Sequence, residues 1–293
     1  MTTLQRVLRR AATRNSVLPI AGALLLVALS LVLAACGGAG GKVAHSGGAS
    51  DLVLRSATGG GFVPVELNLS ELPEFSLYGD GTVITEGPVI EIYPQPAMPN
   101  LQRAKVTQAG IQTLLVAARD AGLFAVRDYG TPGITDVATT VFTVKADKQE
   151  IVNKVYALGF EEVSGLSDEQ VQARKKASGF SAKLSDLTAT LGQEVGASTA
   201  YEPQALAVYA RPAVPEDQQG EVAPSKLQWP LADLSAVPPG DAGFSRLVVQ
   251  GSDLEKLRPL LSSATQITLW ESAGKQYRLV FRPLLPDEVP TSG

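Results

Sequence analysis

Two side chains with reactivity of their own occur once each in the 293 residues, Cys36 and His45. A thiolate is a strong nucleophile, and an imidazole is the usual base or metal ligand near neutral pH. Cys36 opens a glycine-dominated tract and His45 lies within it, so neither has a packed surround in which to act with a partner. With no second histidine, a Ser-His-Asp triad and a histidine-built zinc site are excluded. Catalysis would fall to carboxylates, Lys, Tyr and Ser. The densest such group is Arg127-Asp128-Tyr129-Gly130, followed by Thr135-Asp136 and Thr139-Thr140. If that loop folds back, Asp128 and Asp136 approach each other, and paired carboxylates can divide acid and base roles as in glycoside hydrolysis. The plainer reading makes them turn and cap residues. Tyr78, Tyr93 and Tyr129 fall near expected loop tips, where a ring can stack on a sugar; half-buried strand tyrosines are the alternative. Asp80, between Gly79 and Gly81, suits a hairpin turn, since the spaced Asp/Asn ligands of a calcium loop are missing around it. Arg174-Lys175-Lys176 reads as a solvated helix face. The chain carries no phosphate-binding loop, no dinucleotide fingerprint and no cluster of metal ligands, so no cofactor or metal is expected.

The thiol is better placed for attachment than for catalysis. Arg6, Arg9, Arg10 and Arg14 open the chain, and no charged residue follows until Lys42. Between them runs 17–35, rich in Leu, Val and Ala and interrupted only by Pro19, Gly22 and Ser30. A basic start, an apolar middle and small residues at the end make a secretory signal peptide over 1–35. Its end, Leu33-Ala34-Ala35-Cys36, resembles the lipobox of bacterial lipoproteins. The resemblance implies a diacylglycerol on the Cys36 sulfur, cleavage just before it, and acylation of the new amino terminus. The expected address is the extracytoplasmic face of the cell membrane, with the membrane as a partner through the lipid. Two other readings stand beside this one. Cys36 is an ordinary small core residue, or 17–35 is an uncleaved helix, about 20 apolar residues being enough to span a bilayer. Arg9-Arg10 invites a twin-arginine reading, but Ala-Ala-Thr follows the pair where an apolar run is usual. Residues 36–50 are the lipidated cysteine and a flexible tether spanning roughly 20 Å as a coil.

Composition narrows the rest. Loss of the four leading arginines would move the formal charge from −4 to −8. An acidic body argues against nucleic acid and against an electrostatic grip on anionic lipid. No second cysteine exists, so no intramolecular disulfide forms; a body of about 240 residues is large enough to bury a core without one.

Periodicity predicts an α+β fold: antiparallel hairpins with two or three packing helices. Strands are expected at 52–55, 89–93, 101–106, 204–209, 246–250, 266–270 and 276–281. Hairpins are expected around Gly79-Asp80-Gly81 and around Asp147-Lys148. Thr107 is the expected cap of a helix with Ile111, Leu114, Leu115 and Ala118 inward and Gly122 as its stop. Ser167 and Gln170 form a capping box ahead of a helix to about 191, with Gly179 as a possible bend. Ser252 and Glu255 form a second box. The span 211–243 is proline-rich and irregular, with Trp229-Pro230 as its bulky anchor, and 282–288 is expected to leave the sheet. The order strand-helix-strand-strand occurs at 101–156 and again at 246–281. This suggests halves at 51–200 and 201–293, or one continuous domain with a chance recurrence.

The segment Leu72-Pro73-Glu74-Phe75-Ser76-Leu77-Tyr78-Gly79-Asp80-Gly81-Thr82-Val83-Ile84 and the tail Arg282-Pro283-Leu284-Leu285-Pro286-Asp287-Glu288 resemble those of an uncharacterised group of secreted bacterial lipoproteins. That resemblance implies an address and a common fold, and no activity. The function expected from the sequence is a non-catalytic binding protein for an envelope ligand or protein partner. Two alternatives stay open: a carboxylate-based hydrolase, and a structural or assembly factor acting through a sheet edge or the tail 282–293.

Overall fold

Alternation of apolar and polar residues writes the strands, and two sheets result. The computed structural model describes residues 42–160, 164–240 and 243–290; Cys36 and the run 17–35 lie outside them. From Lys42 on, the chain forms one compact unit.

The first sheet takes β1 (Leu52–Gly59), β2 (Phe75–Tyr78), β3 (Thr82–Glu86), β4 (Leu101–Lys105), β5 (Thr139–Ala146), β6 (Gln149–Tyr156) and β7 (Thr199–Ala200). Its spatial order is β6-β5-β1-β2-β3-β4-β7, and every pairing is antiparallel. Asp147 and Lys148, both at positive φ, turn β5 into β6, as a two-residue hairpin of matching twist requires. A short helix α1 (Val65–Ser70) precedes β2. Helices α2 (Gln108–Asp120), α3 (Asp168–Ser185) and α4 (Leu187–Leu191) cover one face of the sheet. Thr107 caps α2 through Gly110 N, and Ile111, Leu114, Leu115 and Ala118 are its buried stripe. They meet Phe75, Leu77, Phe142 and Val144 from the strands, and Phe180 of α3 sits 5.9 Å from Phe142 ring to ring.

The second sheet takes β8 (Ala205–Pro212), β9 (Lys226–Gln228), β10 (Ser245–Gln250), β11 (Leu269–Ser272) and β12 (Lys275–Pro283), in the order β10-β8-β12-β11-β9. Only β9 and β11 run parallel. Helix α5 (Gly251–Leu261) buries Leu254, Leu257 and Leu261 against it. Trp270 is the centre of this core, edge-on to Trp229 at 5.9 Å and to Phe281 at 5.5 Å.

Several expectations give way. Residues 89–93 are not a strand. β3 and β4 are already hairpin neighbours, with Glu86 opposite Leu101, so 87–100 is the loop between them and has no strand to join. The helix expected to reach 191 breaks at Asp186, whose carboxylate accepts from Ala189 N and starts α4; Gly179 lies inside an unbroken α3. The second capping box does not form, because α5 begins at Gly251 with Gln250 as its cap residue. Helices number five among the described residues, and the three longest, α2, α3 and α5, are the packing helices expected. The strand-helix-strand-strand order does occur twice, but β4 and β5 are separated by three strands whereas β10 and β11 are separated by two, so the two runs are built differently. The box at Ser167 is complete, with both reciprocal bonds to Gln170. Ser167→Ala should therefore lower stability by about 1 kcal/mol, read as a lower urea midpoint at an unchanged slope.

The tail does not leave the sheet at 282. β12 continues to Pro283, paired with Leu206, and the chain then wedges between the sheets. Leu284 packs with Ala205 and Ala207 of the second sheet, and Leu285 with Tyr78, Ile84 and Leu101 of the first. Arg282 grips Glu288 with two bonds of 2.9 Å and donates to the Glu71 carbonyl at 2.8 Å.

Candidate functional site: a cleft between the two sheets

The loop 87–100 is held by hydrogen bonds at its roots and across its middle. Gly87 N donates to Asn100 O at 2.6 Å, Ala97 N to Ala264 O at 2.9 Å, and Gln266 N to Gln95 O at 2.8 Å. The Gln95 amide donates to the carbonyls of Ile90 and Ile92 at 2.8 and 2.7 Å. These bonds fix the backbone and leave Val89, Ile90 and Tyr93 pointing out, each about two-thirds exposed. Helix α1 stands nearby with no buried residue of its own, and Leu67 is 55 % exposed. The floor is β12. Its odd residues, Tyr277, Leu279 and Phe281, face the core under α5, and its even residues, Arg278 and Val280, are half-buried on the other face. Together these parts enclose a cleft of about 770 Å³. That volume lies within the range of small-ligand sites. Apolar side chains exposed this densely on one rim are unusual in a folded protein.

One charged group on the floor carries the electrostatics. Arg278 lies directly opposite Arg211 across β12 and β8, a like-charge pairing that is unfavourable alone. Asp217 answers it. Its carboxylate accepts two bonds from Arg211, at 2.6 and 2.7 Å, and one from Val214 N at 2.8 Å. Burial pushes the Asp217 carboxyl up, but the bonds from Arg211 and Val214 outweigh it and hold it below the usual carboxylate range. Arg278 reaches the same carboxylate only at 3.5 Å, and its terminal amino groups have no hydrogen-bond partner among the described residues. Burial accordingly pulls its pKa down, with Asp217 offsetting only part. Glu66 of α1 is engaged by Arg211 at 3.4 Å.

The site residues expected from the sequence are dispersed. Tyr78 is fully buried, not at a loop tip, and donates to Asp287 at 2.8 Å. Tyr129 is also buried, and its hydroxyl has no partner among the described residues. Neither ring can stack on a ligand; Tyr93 alone of the three is accessible, and it lines the cleft. Asp80 is the turn residue it resembled, bonding Thr82 N at 2.8 Å and the Lys105 ammonium at 2.6 Å. Asp128 is exposed and bonds Gly130 N and the Gln170 amide. Those two bonds lower its pKa, and Asp136 plays no part in the shift. Asp136 is exposed in a separate turn at φ 61°. The two carboxylates therefore do not form an acid-base pair. A second groove of about 420 Å³ is lined by hydroxyls, among them Thr58, Thr140, Ser178 and Ser181, with Glu74 as its one charged group.

Sequence reasoning missed the cleft. The signal is present in Val89-Ile90-Glu91-Ile92-Tyr93, an apolar run bracketed by Pro88 and Pro94, whose composition equally suits a strand. No protein-family model matches the chain, and neither does any curated protein or solved structure.

Proposed function

We propose that this chain is an extracytoplasmic binding protein, held at the membrane by lipid on Cys36, whose ligand enters the cleft with an apolar part. The cleft carries the reading. It is roomy, its rim side chains are exposed at a loss of hydrophobic stabilisation, and the hydrogen bonds around Gln95 and Asn100 hold that rim in place. A hydrolase built on Asp128 and Asp136 is the weaker reading, because both groups sit exposed in separate turns. Assembly through a free tail is weaker too, because 282–288 is packed between the sheets.

The test uses residues 42–293, which form one compact unit, and a neutral dye, N-phenyl-1-naphthylamine. Its fluorescence should rise on titration with the protein, and Ile90→Asp should abolish most of the rise while leaving the thermal melt unchanged, since Ile90 is 66 % exposed. No rise with the native chain sinks the proposal.

A further inference from the structure

We infer that the cleft takes a single-chain amphiphile with an anionic head, a fatty-acid carboxylate, the head on Arg278 and the chain between Leu67, Val89 and Ile90. This rests on the cleft being a binding site and adds the class of ligand.

The Arg278 charge is only partly matched by its neighbours. A guanidinium carries five donors in a planar fork suited to a carboxylate. Arg211 uses its fork on Asp217, whose two oxygens it takes at 2.6 and 2.7 Å. Arg278 is left with a 3.5 Å approach to one of those oxygens. A half-buried cation with open donors on the floor of an apolar cleft is stabilised by any anion that reaches it. Tyr93 lines the same cleft as Arg278, so its hydroxyl is a second polar group available there. Two acids also line the cleft, and neither spoils the match. Glu66 is hydrogen-bonded by Arg211 at 3.4 Å and reaches Arg278 only through its charge, leaving the Arg278 donors open. Glu86 responds to burial and to Glu74 and not to Arg278, and Arg278 does not respond to Glu86. The open donors of the cleft are thus at Arg278 on the β12 floor, and its free carboxylate, Glu86, is where β3 ends. A molecule that satisfies both the apolar rim and the floor has a chain and one negative head. A neutral chain leaves the open donors of Arg278 unused, and a small anion leaves the rim bare.

The experiment titrates residues 42–293 with three probes of one chain length: parinaric acid, its methyl ester and its amine. The acid should bind about tenfold to a hundredfold more tightly than the ester, the range for one hydrogen-bonded charge pair. Arg278→Gln should erase that difference and leave ester binding in place. Tyr93→Phe should reduce acid affinity by a smaller factor. Equal affinity for acid and ester in the native chain overturns the inference, whatever the variants do, while leaving the cleft a binding site. Tighter binding of the amine overturns it in favour of the Glu86 end. Failure of all three probes and of the neutral dye overturns the binding reading itself.

Discussion

Cys36→Ser is expected to shift the protein from the detergent phase to the aqueous phase of a cloud-point partition, and from pelleted membranes to the supernatant. The physical ground is that little else can hold it there. The body is acidic, so anionic headgroups repel it rather than attract it. Among the described residues no helix is long and apolar enough to cross a membrane. Each buried methylene contributes about 0.8 kcal/mol, and two or three acyl chains together give stable anchoring where one does not. Serine offers a hydroxyl where the lipid transfer needs a thiolate, so the whole contribution disappears in one atom's change. The native protein should also carry the mass of a diacylglycerol on an amino-terminal Cys36. An unchanged membrane fraction in the variant, with 1–35 still attached, would transfer the anchoring role to an uncleaved helix over 17–35.

Asp287→Ala should destabilise the body by about 3 kcal/mol, the effect of stripping a mostly covered cation of its counter-charge. Asp287 accepts from Arg55 at 2.7 Å and from the Tyr78 hydroxyl at 2.8 Å, and the Arg55 and Asp287 side chains are only 15 % and 20 % exposed. Burial works against the Arg55 charge, but Asp287 more than compensates and its pKa is raised. Loss of the carboxylate therefore leaves the Tyr78 hydroxyl without its acceptor and Arg55 with only Ser76, the Tyr78 oxygen and a distant Glu288 at 3.9 Å, at the point where the tail joins the first sheet. An exposed pair serves as the control: Asp253→Ala, which breaks a 2.7 Å contact with Lys256 at over half exposure, should change stability by about 0.5 kcal/mol or less. The same clasp has a signature in pH. Burial, then the charge of Asp287, pushes the Tyr78 phenol far above its ordinary value, with Arg55 opposing. The folded state keeps that proton where the unfolded chain releases it, from about pH 10 upward. Stability should therefore be intact below about pH 10 and fall as pH rises, with Tyr78 contributing about 1.4 kcal/mol per pH unit to the slope. Tyr78→Phe should remove that share. An identical alkaline slope in the variant would show that Tyr78 ionises as freely folded as unfolded.

The reading of 89–93 as a strand shows where sequence reasoning stops. Its apolar content was legible, but whether an apolar run becomes a strand depends on whether a partner is vacant. β3 found β4, and 87–100 was left over as the loop between them. The tyrosines teach the same lesson. Tyr78 and Tyr129 stand next to turns in the sequence and are buried in space, because the tail covers one and the helix layer the other. Asp80, by contrast, was read correctly as a turn residue, since an Asx turn is completed within two residues of its own backbone.

What the chain's order of residues determined alone is local. It set the alternation that makes β5 and β6, the Thr107 and Ser167 caps, the Asp147-Lys148 turn, and the lone thiol after an apolar run. Each depends on neighbours within a few positions. The tertiary structure decided the rest: that Arg278 faces Arg211, that residues 282–288 clasp two sheets, and that 64–70 and 86–100 meet 266–281, far along the chain, to enclose a cleft. Those outcomes rest on register and on competition for partners between distant strands, which no local window of sequence contains.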